Sequence, residues 1–243
     1  MFESWALVAV AALLGSTLAG VTGFGGAAIL LPPLVLIFGV KGAIPILTVA
    51  QLIGNASRVY FHRKSLDWKV VGYFGLAAVP SAILGAYLFS VVNGSVILRV
   101  LGVFLLATAL WRRSGAQKIP KFPAAGFLGV GAVFSFLSAI VGSVGPFIVP
   151  FFLSYGLVKS AFIGTEALCT VLMHIAKLAI YGRANLLSLK SASFGLALGP
   201  LMILGSWTGK KIVDRIPERV FVILVETTLV LAGLNFLFIQ KIR

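Results

Sequence analysis

Charge is what this chain has least of: 11% of its 243 residues are Asp, Glu, Lys or Arg, against about 25% in an ordinary soluble domain. Acid is scarcer still, with 6 Asp and Glu against 20 Lys and Arg, and there are only one cysteine and two histidines. The lone Cys169 excludes a disulfide framework or a cysteine-built metal site within the chain, and inside an apolar stretch it reads as a small packing residue. His62 and His174 cannot make a multi-histidine metal centre, the carboxylates are scattered, and no serine sits in a nucleophile-elbow setting. Neither a metal, a cofactor nor a catalytic constellation is expected, and the chain does not read as an enzyme.

What fills the sequence is hydrocarbon. Hydrophobic residues make up 60% of it and the mean hydropathy is +1.09. Several apolar runs reach the roughly 20 residues that cross a bilayer core. The formal net charge of +14 would suggest nucleic acid in a soluble protein. Here the basic residues sit in short connections between apolar segments, as the positive-inside rule expects, with no stripe of Lys and Arg interleaved with aromatics along an exposed face. The expected partners are the lipid bilayer and a small anionic substrate; nucleic acid is not one, and homo-oligomerisation is left open. Met1–Gly20, with Glu3 as its only charge, reads as a first membrane segment and not as a signal peptide.

Apolar runs bounded by charge, Gly or Pro give ten pieces. They are Trp5–Val21, Gly26–Gly39, Ala43–His62, Lys69–Ser90 and Ser95–Trp111, then Ala124–Val141, Gly145–Gly156, Ser160–Tyr181, Lys190–Thr208 and Glu218–Ile239. The basic stretch Arg112–Lys121, with Gly115 and Pro120, separates two halves. The expected division is a first transmembrane repeat (1–111), a cytoplasmic linker (112–123) and a second repeat (124–243).

The halves resemble each other. Gly25, Pro33, Gly39 and Thr48 match Gly142, Pro150, Gly156 and Thr165 at one offset (142 − 25 = 117). Phe74-Gly75-Leu76-Ala77, Pro80 and Ile83-Leu84-Gly85 match Phe194-Gly195-Leu196-Ala197, Pro200 and Ile203-Leu204-Gly205 at another (194 − 74 = 120). Repeats of this size are the usual architecture of secondary transporters. Gly26–Gly39 is too short to span: 14 residues (39 − 26 + 1) reach about 21 Å. If the first two pieces form a hairpin, each half crosses an odd number of times and the repeats are inverted, an arrangement the Lys and Arg distribution slightly favours; joining the two pieces into one span would make the repeats parallel. The predicted fold is therefore an all-α polytopic transmembrane helix bundle of two homologous, inverted repeats, each opening with a glycine-broken helix hairpin.

Thr22-Gly23-Phe24-Gly25-Gly26 and Gly142-Ser143-Val144-Gly145-Pro146 interrupt apolar runs at matched positions. A helix that restarts there directs unpaired N–H groups and its positive dipole end into the break, an anion site made from backbone. A glycine-lined helix crossing is the alternative. Downstream, Thr48, Gln51, Asn55, Arg58 and His62 recur at spacings of 3, 4, 3 and 4, on one helix face. Glu166, Thr170, His174, Lys177 and Tyr181 do the same at 4, 4, 3 and 4. Ionisable groups in a membrane should face protein or water. Glu166 and Lys177 are about 16 Å apart along one helix and cannot pair directly, so each needs another partner, such as the substrate, His174 through water, or Glu226. His174 is either a proton relay or a satisfied structural donor, and Arg58 and His62 could equally be snorkelling.

With these residues in view, the chain resembles the TauE/SafE sulfite-exporter family of bacterial and archaeal membrane transporters. The carriers are Gly20-Val21-Thr22-Gly23-Phe24-Gly25-Gly26 followed by Pro32-Pro33, the tract Lys64-Ser65-Leu66-Asp67-Trp68, Gly164-Thr165 and the helix of Gly205. The resemblance implies a permease for sulfite or a related organosulfur anion. The family's second break usually carries three glycines and a serine at the position of Glu166, so this chain departs from the pattern at both.

The expected function is secondary transport of a small sulfur-containing anion across the cytoplasmic membrane, driven by protons or by the membrane potential; a selective anion channel and a non-transporting membrane assembly subunit are the alternatives. N–H groups at Gly25, Gly26, Ala27, Gly145 and Phe147 are expected to hold the anion, with Gly23 opening the turn. Lys177 or Arg58 would supply counter-charge, and Thr22, Asn55, Ser143 and Thr165 polar contacts. Glu166 and His174 are the expected proton-coupling pair.

Overall fold

A computed structural model describes residues 2–97, 99, 121–225 and 227–228, with backbone alone for residues 2–4. The described chain is helical, without strands. Its helices are α1 (Phe2–Thr22), α2 (Gly26–His62), α3 (Trp68–Val91), α4 (Phe127–Val141), α5 (Gly145–Tyr155), α6 (Lys159–Arg183), α7 (Leu189–Ala197) and α8 (Gly199–Arg215). Short 3-10 turns at Arg63–Ser65 and Ala124–Gly126 precede α3 and α4. Most of the expected Ser95–Trp111 piece, residues 112–120 of the linker, Glu226 and the end of the Glu218–Ile239 piece lie outside the described residues.

Among the described residues six helical segments are long and apolar enough to cross a membrane, α7 and α8 counting as one. Leu36, Leu76 and Leu189 are 74%, 73% and 93% exposed, a surface that only a hydrocarbon solvent makes favourable over such an extent. α5, at 11 residues, reaches about 16 Å and cannot span.

One boundary matches the sequence expectation and one differs. The second and third pieces are the two helical legs of α2 and part at Gly39 (φ 65°, ψ 169°), where the backbone leaves helical geometry for a region open to glycine alone. The expected Lys190–Thr208 helix is divided at Leu198. Pro200, in the first turn of α8, has no N–H to continue the ladder from α7.

The chain doubles back at both breaks. Gly26 lies against Gly15, where an added Cβ would stand 2.8 Å from the Gly15 carbonyl oxygen, and the rings of Trp5 and Phe38 meet with centroids 6.0 Å apart. α1 and the first leg of α2 therefore form a hairpin whose mouth is at Trp5. The reversal at Gly39 then sends Val40–His62 across the bundle, and α3 returns packed on α4 and α6 until Lys41 Nζ donates to Ser90 O (3.2 Å). In the second half, Phe127 meets Tyr155 at 5.7 Å and Phe122 N donates to Ser154 O (3.3 Å), so α4 and α5 form the corresponding hairpin.

The second leg of α2 packs antiparallel to α6. His62 sits against Gly164, Asp67 N donates to Thr165 Oγ1 (2.9 Å), and at the far end Val40 and Ile44 share a buried cluster with Tyr181. Phe152 packs on Phe162 near the start of α6 (6.0 Å). The mouth of the second hairpin is thus at the His62 end and that of the first at the Val40 end: the hairpins enter from opposite ends.

The halves are interlocked. α1 packs on α8 and α4 on α3, so the first helix of each half leans on the last described long helix of the other. Both contacts close on small residues, the usual means by which membrane helices approach. A Cβ at Gly85 would stand 2.5 Å from Phe136 O, and one at Gly205 would overlap Ser16. Gly85 and Gly205 are 120 residues apart (205 − 85), the second offset of the sequence.

Candidate anion site between the hairpins

Both glycine segments are broken, and both breaks line one cavity. On the first side Gly23 (φ 82°) and Gly25 (φ 92°) take left-handed backbone, which side chains with a Cβ rarely adopt. On the second, Gly142 (φ 83°) does so, and Pro146 opens α5 where a missing N–H does no harm. The breaks touch: a Cβ at Gly145 would lie 2.7 Å from Phe24 Cβ. The N-terminus of α2 and that of α5 face each other across the gap. Their first-turn amides at Gly26, Ala27 and Gly145 have no intrahelical acceptor by position, and both positive dipole ends point at the same space.

The free space is about 40 Å³, on a measure in which one water needs about 10–15 Å³. It suits a small solute. Gly23, Gly25, Gly26, Ala27 and Asn55 line it from the first half, with Arg58; Ser143, Gly145, Glu166 and His174 line it from the second.

Arg58 is 4% exposed and faces inward, so it does not snorkel. Its Nη1 donates to Ala19 O (3.0 Å) and Gly23 O (2.6 Å), and lies 3.5 Å from Glu166 Oε2. Nη2 donates to Asn55 Oδ1. The guanidinium thus gathers the carbonyl end of α1 and binds the two halves through a buried ion pair. This is the partner of Glu166, whose other oxygen accepts from Thr170 Oγ1 (2.9 Å); neither His174 nor Lys177 holds it. An acid so deep needs a cation within reach. The matching Arg58 sits on a helix remote in sequence, where single-helix spacing gives no sign of it.

Four expected site residues do not line the cavity. The Thr22 hydroxyl turns back onto Leu18 O (2.9 Å) and Phe24 O (3.0 Å), closing the end of α1. Thr165 Oγ1 accepts from Asp67 N and serves the α6–α3 contact. Phe147 N already donates to Val144 O (2.9 Å), so the second break offers fewer amides than expected. Lys177 is fully buried and donates to Ser138 Oγ (3.0 Å), one layer behind the cavity that Ser138 lines.

Among the described residues, two buried polar groups facing the cavity lack a partner: Gln51 Nε2 and His174 Nδ1. Native interiors seldom leave such atoms unmet, and their convergence on a cavity is the mark of a site that takes a polar occupant. Gln51 was visible in the polar stripe of α2. Ser138 was missed, although its place one turn before Gly142 puts it on the face that the break exposes.

This arrangement of facing helix ends is held by residues spread from Ala19 to His174, and the same expanse carries a family likeness. Residues 7–236 match the family described as sulfite exporter TauE/SafE. The chain belongs to that family. TauE/SafE proteins are membrane transporters and not enzymes, and this member is a multi-pass membrane protein. A relative from Bacillus subtilis (strain 168), named as the probable membrane transporter protein YjnA, is 26% identical over 228 residues, covering 83% of this chain and 86% of that protein. No solved structure matches.

Proposed function

We propose that the protein is a secondary transporter that carries a small sulfur-containing anion, sulfite or a compact sulfonate, across the cytoplasmic membrane. One observation carries the reading: two helix N-termini, from hairpins entering at opposite ends, open onto one cavity that also holds the unpartnered Gln51 and His174. A backbone site of this kind attracts negative charge without a dedicated side chain. The limited free space favours the smallest members of the class.

The antiparallel run of α2 and α6, and the recurrence of left-handed glycine at Gly25/Gly142 and Gly39/Gly156, both 117 residues apart (156 − 39), support inverted repeats. Such repeats supply alternating access by rocking one half on the other. Here the α2–α6 contact is the seam. The Arg58–Glu166 pair crosses it and is the natural gate. An arriving anion competes with Glu166 for Arg58, and a proton on Glu166 frees the guanidinium, so anion and proton move together with no net change of charge at the site. His174, beside them on the α6 face, is the group through which that proton would pass.

Counterflow of labelled sulfite in proteoliposomes tests the reading. Saturable exchange that unlabelled sulfite and small sulfonates compete away is expected. Flux without counterflow would mean a channel; saturable exchange of a cation, with no anion competing, would remove the anion assignment.

A further inference from the structure

A second pocket opens where α2 ends and α6 begins. It holds about 240 Å³ of free space, and His62, Arg63, Lys64, Ser65, Ser160 and Lys210 form its wall. Among the described residues no carboxylate lines it. Lys210 is paired with Asp214 one turn along α8, but among the described residues neither Arg63 nor Lys64 has an acidic partner within ion-pair distance.

Two independent features distinguish this pocket from a gap between solvated lysines. His62 is 3% exposed, and both its ring nitrogens are buried without a hydrogen-bond partner among the described residues. At least one of them is a donor in any protonation state. Ser160 belongs to the first turn of the 25-residue α6, whose leading amides lack intrahelical acceptors and whose dipole is positive there. The carbonyl end of α2 arrives at the same place with opposite sign, and Arg63 Nη1 caps it through Tyr60 O (2.8 Å).

The pocket is in register with the central cavity. His62 lies one turn beyond Arg58 on the face of α2 that carries Gln51 and Asn55 (62 − 58 = 4), about 6 Å along the axis. Arg58 lines the inner space and His62 the outer one. We infer that the outer pocket is a second anion site, a waiting position for a small oxyanion between bulk water and the central cavity, with His62 as the donor at the neck. By the positive-inside rule its basic rim, Arg63, Lys64 and Lys210, faces the cytoplasm. The inference rests on the anion-transport reading of the central cavity, but its test needs no flux.

Cys169→Ser removes the only native thiol, and Ser160→Cys places one in the pocket wall. In nanodiscs of zwitterionic lipid, this thiol should react faster with a sulfonate-bearing methanethiosulfonate than with a trimethylammonium one, by about tenfold beyond their ratio with a free thiol. Lys64→Gln with Lys210→Gln should collapse the preference, and sulfate should slow the reaction. A ratio equal to that of free thiol, or no protection by sulfate, overturns the inference. So does protection by anionic phospholipid in the nanodisc without protection by sulfate, since the occupant is then a lipid headgroup. Charge preference without sulfite counterflow upholds the oxyanion site and sinks the transport reading; counterflow without charge preference sinks the waiting site alone.

Discussion

The two hairpins solve one problem by different chemistry. Each ends its first helix beside the space proposed to take an anion, where the carbonyl end of a helix is itself unfavourable. In the first, Arg58 reaches over from α2 and takes two of those carbonyls, the Asn55 amide oxygen and Glu166. In the second, Lys177 on α6 takes only the hydroxyl of Ser138. The rigid guanidinium fork can satisfy several acceptors at once, and an ammonium is a point charge on a flexible stem. The first break is therefore locked by its cation and by an acid from the other half. The second keeps a cation whose charge no carboxylate among the described residues cancels. A cavity closed on one side by a paired cation and backed on the other by an amine without a carboxylate partner suits the proposed anion without being saturated by its own side chains.

The largest effect should come from breaking the locked side. Arg58→Met leaves Glu166 buried and unpaired, a change that costs about 3–5 kcal/mol. Counterflow should vanish and thermal unfolding should move down by many degrees. Adding Glu166→Gln should restore most of the stability and none of the flux. If Arg58→Met alone unfolds at the wild-type temperature, the pair is not what holds the halves together.

Gly23→Ala should follow. It forces a Cβ into left-handed backbone, at about 1–3 kcal/mol, and onto the Phe162 ring. Unfolding should occur earlier, with the remaining folded protein binding sulfite more weakly. A variant as stable as wild type would show that the first break does not need its glycine turn.

Lys177→Met sharpens the contrast. It removes a buried amine and leaves one hydroxyl, Ser138 Oγ, without its donor, a loss of about 1–3 kcal/mol offset by relief of the amine's own desolvation. Stability should scarcely move, while sulfite affinity falls through loss of the charge behind the cavity. Destabilisation as large as that of Arg58→Met would erase the distinction between the two sides.

The first-order design was legible in the sequence. Gly23, Gly25 and Gly142 announce breaks because an interrupted apolar run with glycine has few other uses, and the polar stripes of α2 and α6 announce the faces that meet. The partnership of Arg58 with Glu166 was not legible, because it depends on how two helices 108 residues apart (166 − 58) are registered. Nor was the retreat of Thr22 and Thr165 from the cavity. A hydroxyl in an apolar helix can serve its own backbone or a neighbour's as well as a solute, and only the packing decides. Gly39, by contrast, was legible, since the second piece ends at the residue where the backbone leaves helical geometry and the chain reverses.

The smallest change in rate, and the most informative about coupling, is expected from Glu166→Gln. The substitution keeps a side chain that can still accept from Thr170 and from Arg58. The guanidinium retains Ala19 O, Gly23 O and Asn55 Oδ1, so it is far from abandoned. Its contact with Glu166, at 3.5 Å, is the longest it makes. Stability should therefore fall much less than in Arg58→Met. If the acid is the proton carrier, sulfite should still exchange across the membrane, but a pH gradient should no longer drive it uphill, and any remaining accumulation should follow the membrane potential at about 2.3 kcal/mol per charge per 100 mV. Uphill transport that still tracks the pH gradient in Glu166→Gln would move the proton elsewhere. His174, buried with no partner for Nδ1 among the described residues, would then be the group to replace next, since its imidazole is the other proton-exchanging side chain among the described cavity-lining residues.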